Sequence, residues 1–261
     1  MKLQMTLIRI NDPCLNRTFL IHSSNMEKVT TKTNKRIDQM FSVGAHFGYA
    51  RSRRHPTVAP YIFGVKNRVE IIDLEKTDEL LTKTLEFIRK IASENGQILF
   101  VSSKPEAREA IRRTAGALGM PFVAGRWIGG TFTNFGQIRK RIERFETLTS
   151  QKEKGELGKY TKKERLLIDR EIAKLDRFFS GLITMKAMPK AMLVVDSDKE
   201  EIAVAEARAS RIPVIALSGS DCNLSVVDHA IVANDSAMAS ISYFLERVVE
   251  AYKEATAKPR A

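Results

Sequence analysis

Five short apolar runs, interspersed with stretches of helical spacing, restrict this chain more than anything else in it. They are Ile98–Val101, Phe122-Val123, Ala191–Val195, Ile212–Leu217 and Ala230–Val232. The runs are continuous rather than alternating, as strands are when both faces of a sheet are covered. Leu80, Leu81, Leu85, Ile88 and Ile91 give one apolar face to a helix ending near Ser93. Further helices are expected over about 105–118, 200–210 and 237–255. Strands alternating with helices predict an α/β fold, a three-layer doubly wound parallel sheet of flavodoxin or Rossmann type.

The segment Arg126-Trp127-Ile128-Gly129-Gly130-Thr131-Phe132-Thr133-Asn134-Phe135 holds the chain's only tryptophan. Its Gly-Gly pair permits a sharp change of direction, and Thr133 or Asn134 can accept the free amides of the helix that follows. Phe135, Ile138, Ile142 and Phe145 then recur at three and four, as do Ile168, Ile172, Leu175, Phe179 and Leu182, around a polar bend at 155–158. Two heptads are too few for a long coiled coil, so an antiparallel coiled-coil helical hairpin inserted in the core is expected. The expected division is a flexible extension over 1–33, a core over 34–132 and 181–256, the hairpin over 133–180 and a basic tail over 257–261.

Residues 1–25 show no periodicity. An organellar leader is one reading, weakened by Asp12 and Pro13; an extension upstream of a start at Met26 is the better one. No apolar run approaches the roughly 20 residues of a membrane-spanning helix. Cys14 and Cys222 are too far apart in sequence for a metal pair and too few for a disulfide framework, which fits a reducing, cytoplasmic setting.

The chain carries a net charge of +12, which points to a polyanionic partner, nucleic acid before membrane. The excess is uneven. Residues 34–72 hold seven Lys and Arg against two acids, residues 133–180 thirteen against eight, and residues 191–256 five against eleven. Arg51, Arg53, Arg54, Lys66 and Arg68 surround Phe47, Tyr49 and Tyr61; Arg126, Arg139, Lys140, Arg141 and Arg144 surround Trp127. Guanidinium forks match phosphate oxygens and aromatic rings stack on unpaired bases, so these residues, Trp127 included, are the candidate RNA contacts.

Enzymatic readings find less support. There is no glycine-rich phosphate loop after any strand. Asp196 and Asp198 at a strand end suggest a Mg-dependent phosphotransferase, yet Glu200 stands where that motif wants Thr or Val, and acids capping a helix are the simpler reading. His46 and His55 lack nearby ligands for a metal, and Asp228-His229 beside Ser225 lacks a nucleophile elbow. No catalytic residue, metal or cofactor is expected; a soluble phosphotransferase or nucleotide-binding enzyme is the alternative.

The segments Gly44-Ala45-His46-Phe47-Gly48, Tyr61-Ile62-Phe63-Gly64, Ile71-Ile72-Asp73-Leu74, Arg126–Phe135, Met185-Lys186 with Pro189, and Ile202-Ala203-Val204 with Glu206-Ala207 together resemble small-subunit ribosomal protein two of bacteria and organelles. The resemblance covers about residues 35–255. It implies an α/β sandwich with a protruding hairpin, no catalysis, and a place on the small ribosomal subunit. Its implied partners are 16S ribosomal RNA and neighbouring ribosomal proteins, ribosomal protein one among them. Two departures stand out: Tyr49 replaces a second histidine, and Ser218–Asn223 differs from the family's loop.

Overall fold

The computed structural model describes residues 35–257, so the extension and the basic tail lie outside the described residues except for Ala257. Helix α1 (residues 35–42) leads into strand β1 (Phe47–Ala50), then β2 (Ile62–Lys66) and β3 (Val69–Ile72). Strand β1 is four residues long and half-buried, too short for an apolar run to mark it in the sequence. The three strands form a small antiparallel sheet in the order β1-β3-β2. Its β2–β3 turn puts Asn67 and Arg68 at φ 52° and 65°, the left-handed conformation that suits a tight hairpin.

Helix α2 (Leu74–Ser93) is capped by Asp73, whose carboxylate accepts the Glu75 N–H at 3.1 Å. Then come β4 (Ile98–Ser102), α3 (Pro105–Leu118) and β5 (Phe122–Ala124). The hairpin helices α4 (Phe135–Glu153) and α5 (Lys162–Phe179) follow. The chain returns through β6 (Ala191–Val195), α6 (Glu201–Ala209), β7 (Val214–Ser218), β8 (His229–Val232) and α7 (Met238–Ala257). The five strands β4 to β8 pair in parallel in the order β5-β4-β6-β7-β8. This is the doubly wound α/β sheet expected.

Alternate residues of one strand feed opposite layers, as strand pleating requires. Ile98, Phe100, Leu193, Val195, Ile215 and Leu217 pack with α2, α3 and α7. Leu99, Val101, Met192, Val194 and Val214 face α6 and the base of the hairpin, through Trp127, Phe132, Ile138, Ile142 and Phe179. The hairpin therefore grows out of one covering layer of the sheet. Its return docks on β5: a Cβ at Gly181 would collide with the Phe122 carbonyl, so only glycine fits.

The two hairpin helices run antiparallel, cross-braced by Arg144 with Glu171 at 3.3 Å and Lys152 with Asp169 at 2.7 Å. Their seam is uneven. Ile138, Ile142, Phe145 and Leu148 are buried on α4, whereas Ile168, Ile172 and Leu175 on α5 are only half-buried. An α5 lying against one partner helix leaves its side exposed, so the packing is that of a two-helix arm.

Candidate nucleic-acid interface

The small sheet sits over the carboxyl ends of the large one. The Tyr49 N–H donates to Ser220 Oγ at 2.8 Å, and the Tyr49 hydroxyl pairs with Ser236 Oγ at 2.6 Å. The two departures from the family pattern thus meet: Tyr49 is held by the 218–223 loop. The Thr77 hydroxyl donates to the Val232 carbonyl at 2.7 Å, fixing α2 to the end of β8. His46 is sandwiched between Phe41 and Phe47, ring centroids 4.4 and 4.0 Å away, and burial lowers its pKa.

Strand register gathers part of the first basic set. Ala50 pairs with Val69, and Lys66 pairs with the same residue from the other side. Arg51, Lys66 and Arg68 therefore emerge at one end of the small sheet, all exposed. Arg53 is exposed too, but its guanidinium lies 4.5 Å from the Tyr49 ring centroid and 3.3 Å from Asp221. Arg54 differs: it is half-buried, and it approaches the fully buried Glu70 carboxylate at 3.3 Å. Its charge offsets Glu70, which has no hydrogen-bond partner of its own. Of the five basic residues predicted here, Arg54 is thus an internal counter-ion.

The second basic set needs a larger correction. Trp127 is 7% exposed, packs edge-on against Phe132 at 5.3 Å and lies in the core, so it offers no face to a base. Its turn is organised by a residue from α6. The Glu206 carboxylate accepts the Gly130 N–H at 2.7 Å, the Phe132 N–H at 3.1 Å and the Trp127 indole N–H at 3.4 Å. Asn134 is the α4 cap residue but makes no side-chain cap bond; the Gln137 and Ile138 amides reach its carbonyl instead, while Glu206 satisfies amides of the turn before it. Gly130 takes φ 92° there, as the Gly-Gly pair suggested. Arg126 remains exposed beside this turn.

Arg139, Lys140 and Arg141 are consecutive on a helix and so point about 100° apart, which no flat surface can collect. Arg139 is half-buried and meets Glu143 at 3.4 Å. Lys140 and Arg141 are exposed, and Arg144 is engaged with Glu171.

The crevice where doubly wound sheets take ligands lies where the strand order diverges, here between β4 and β6. Lys104, just after β4, fills it. Its ammonium is 2.8 Å from Asp196 and 2.7 Å from Asp235, with all three side chains no more than 4% exposed. Burial disfavours the ammonium, but the two carboxylates outweigh that and raise its pKa. Burial likewise opposes the Asp196 charge, and the Lys104 hydrogen bond overrides it and lowers that pKa. One ammonium cannot neutralise two carboxylates, and burial pushes the Asp235 carboxyl up. Cys222, 3.5 Å from Asp196, has its thiol pushed up to about 12 by burial and neighbouring carboxylates, which disfavours the nucleophilic thiolate at neutral pH.

Asp196 thus anchors a buried ion triad and, through Oδ1, accepts the Asp198 and Lys199 N–H groups. Helix α6 begins later, with Glu200 at its cap position. Ser102 receives the Lys104 N–H rather than capping α3 by itself, and Ser103 donates its N–H to Glu200. The Asp228 carboxylate accepts the Val214 N–H and His229 stacks on Phe87, so the pair forms no triad with Ser225.

Fold and site together define a class: a doubly wound α/β protein whose ligand crevice is closed by its own lysine, and which carries an outer basic rim and a helical arm. The family model for ribosomal protein S2 matches residues 40–255. The small ribosomal subunit protein uS2 of Bdellovibrio bacteriovorus is 41% identical over 229 residues, covering 88% of this chain and 71% of that protein. The chain belongs to the ribosomal protein S2 family, whose members are structural components of ribosomes and not enzymes. Among the described residues no helix is long and apolar enough to cross a membrane.

Proposed function

We propose that this protein is a structural constituent of the small ribosomal subunit in the cytoplasm, and that it binds 16S ribosomal RNA through the rim formed by Arg51, Arg53, Lys66, Arg68 and Arg126. The observation that carries the reading is the register that brings Arg51, Lys66 and Arg68 to one end of the small sheet. Arg126 leaves the large sheet at the carboxyl end of β5, the same end of the strands at which Tyr49 meets Ser220 beyond β7. Lys140 and Arg141 extend the positive surface onto the arm. The acidic C-terminal third is the side for protein neighbours, ribosomal protein one among them. An extract fractionated on a sucrose gradient at moderate salt tests the assignment. The protein is expected with small subunits, and R51Q/K66Q/R68Q is expected to shift toward the top. A wild-type chain found only as a free pool would overturn the proposal.

A further inference from the structure

Beneath the rim lies an acid that the fold alone does not call for. Glu70 follows Val69, the residue that pairs with Ala50 on one side and Lys66 on the other. Successive side chains of a strand turn to opposite faces. Glu70 therefore points under the small sheet, on the same face as Ile72, which packs with Val58 and Val232. Its side chain is fully buried, and neither carboxylate oxygen has a hydrogen-bond partner. Among the described residues its ion pair is Arg54, with Nη1 3.3 Å from Oε1. A buried carboxylate left without its cation is costly, so Glu70 commits Arg54 inward. Arg53 is not committed in this way. It meets Asp221 with 62% of its own side chain exposed, where water screens the pair.

The path of the loop does not depend on Arg54. The His55 N–H donates to the Ser220 carbonyl at 3.0 Å, the Leu224 N–H donates to the Thr57 hydroxyl at 3.1 Å, and Val58 is fully buried. The Arg54 N–H donates to the Arg51 carbonyl at 3.2 Å, so the two arginines share one turn, and 28% of the Arg54 side chain already reaches the surface. We propose that Glu70 is a positioning residue that withholds Arg54 from phosphate and thereby sets how many contacts the rim makes with ribosomal RNA. That role rests on the RNA-binding rim proposed above. Phosphate contacts add affinity without reading sequence, so a cation held inward lowers non-specific attraction while the loop keeps its shape.

The test uses the full chain with full-length small-subunit ribosomal RNA as probe, titrated across a salt series. E70M removes the acid and suits the apolar neighbours, so circular dichroism should be unchanged; if it does not fold, E70Q takes its place with the same expectation. Either variant should steepen the slope of log affinity against log salt by about 0.7–0.9, one phosphate contact. E70M/R54Q should return to the wild-type slope, and R54Q alone should leave that slope unchanged. A merely structural role for Glu70 would not produce a gain that R54Q abolishes. An unchanged slope in E70M, a gain that persists in E70M/R54Q, or a loss of slope in R54Q would each overturn the role of Glu70. R51Q/K66Q/R68Q is the parallel arm. If it loses slope while E70M gains none, Glu70 is wrong and the rim stands; if it loses none, the rim reading fails and the role of Glu70 falls with it.

Discussion

Lys104 shows how one residue can close a site that the fold leaves open. Its ammonium sits between Asp196 and Asp235 with 2% of its side chain exposed. Removing one partner of a buried ionic group strands the others, at a cost of about 3–5 kcal/mol. Lys104→Met should therefore destabilise the protein by that order in thermal or denaturant unfolding. The pH dependence should also change. In the wild type the depressed Asp196 pKa contributes stability above the usual carboxylate range, which is lost as pH falls through the folded value. The raised Lys104 pKa contributes stability that is complete below about 10.4 and is lost as pH rises above it. In Lys104→Met both carboxyls would prefer their protons, so stability should rise as pH falls from 7 to 5; a variant that loses stability over that interval would contradict the triad's role. Glu206 is the second residue of this kind. Glu206→Ala orphans the amides of Gly130 and Phe132, at about 1–3 kcal/mol for each buried donor left unpaired. Trp127 is the only tryptophan, so loosening of the turn is read directly from its fluorescence, with an expected red shift; unchanged emission would show that the turn does not depend on Glu206. Neither role was legible beforehand. Lys104 and Asp196 are 92 positions apart, Glu206 and Gly130 76, and no local pattern announces a partner at that range.

At the scale of elements, continuous apolar runs and three–four spacings located all five parallel strands and most helices, because burial on two sheet faces or one helix face writes itself into a short window. What escaped was β1, stabilised by pairing with β3 rather than by its own composition. The hairpin was legible as two amphipathic helices, but the asymmetry of its seam was not, since periodicity records which residues face inward and not how well the partner covers them. That asymmetry has a measurable consequence. Ile142 is fully buried against the sheet layer, so Ile142→Ala should cost about 2–5 kcal/mol and speed hydrogen exchange in the hairpin base and in β4 and β6. Ile172 is only half-buried, so Ile172→Ala should cost about 1–2 kcal/mol and speed exchange within 135–179 alone. Uniform acceleration across the whole core by Ile172→Ala would contradict an arm that loosens independently of the sheet.

For the whole molecule, charge polarity was read correctly as blocks but not as surfaces. Sequence placed Trp127 among the RNA contacts, yet an indole is apolar enough to be a core residue, and here the core holds it. Arg54 was grouped with its neighbours, although burial of Glu70 enlists it internally. The central claim is that binding is polarised: the rim takes phosphate, and the C-terminal third does not. The most direct measurement is the salt dependence of binding to small-subunit ribosomal RNA by the full chain and two triple variants. R51Q/K66Q/R68Q should lower the slope by about 2, at roughly 0.7–0.9 per lost contact. K199Q/R208Q/R211Q, which removes the same charge from the acidic third, should leave it nearly unchanged. Equal losses from the two variants would contradict a polarised surface and reduce the interaction to attraction by net charge.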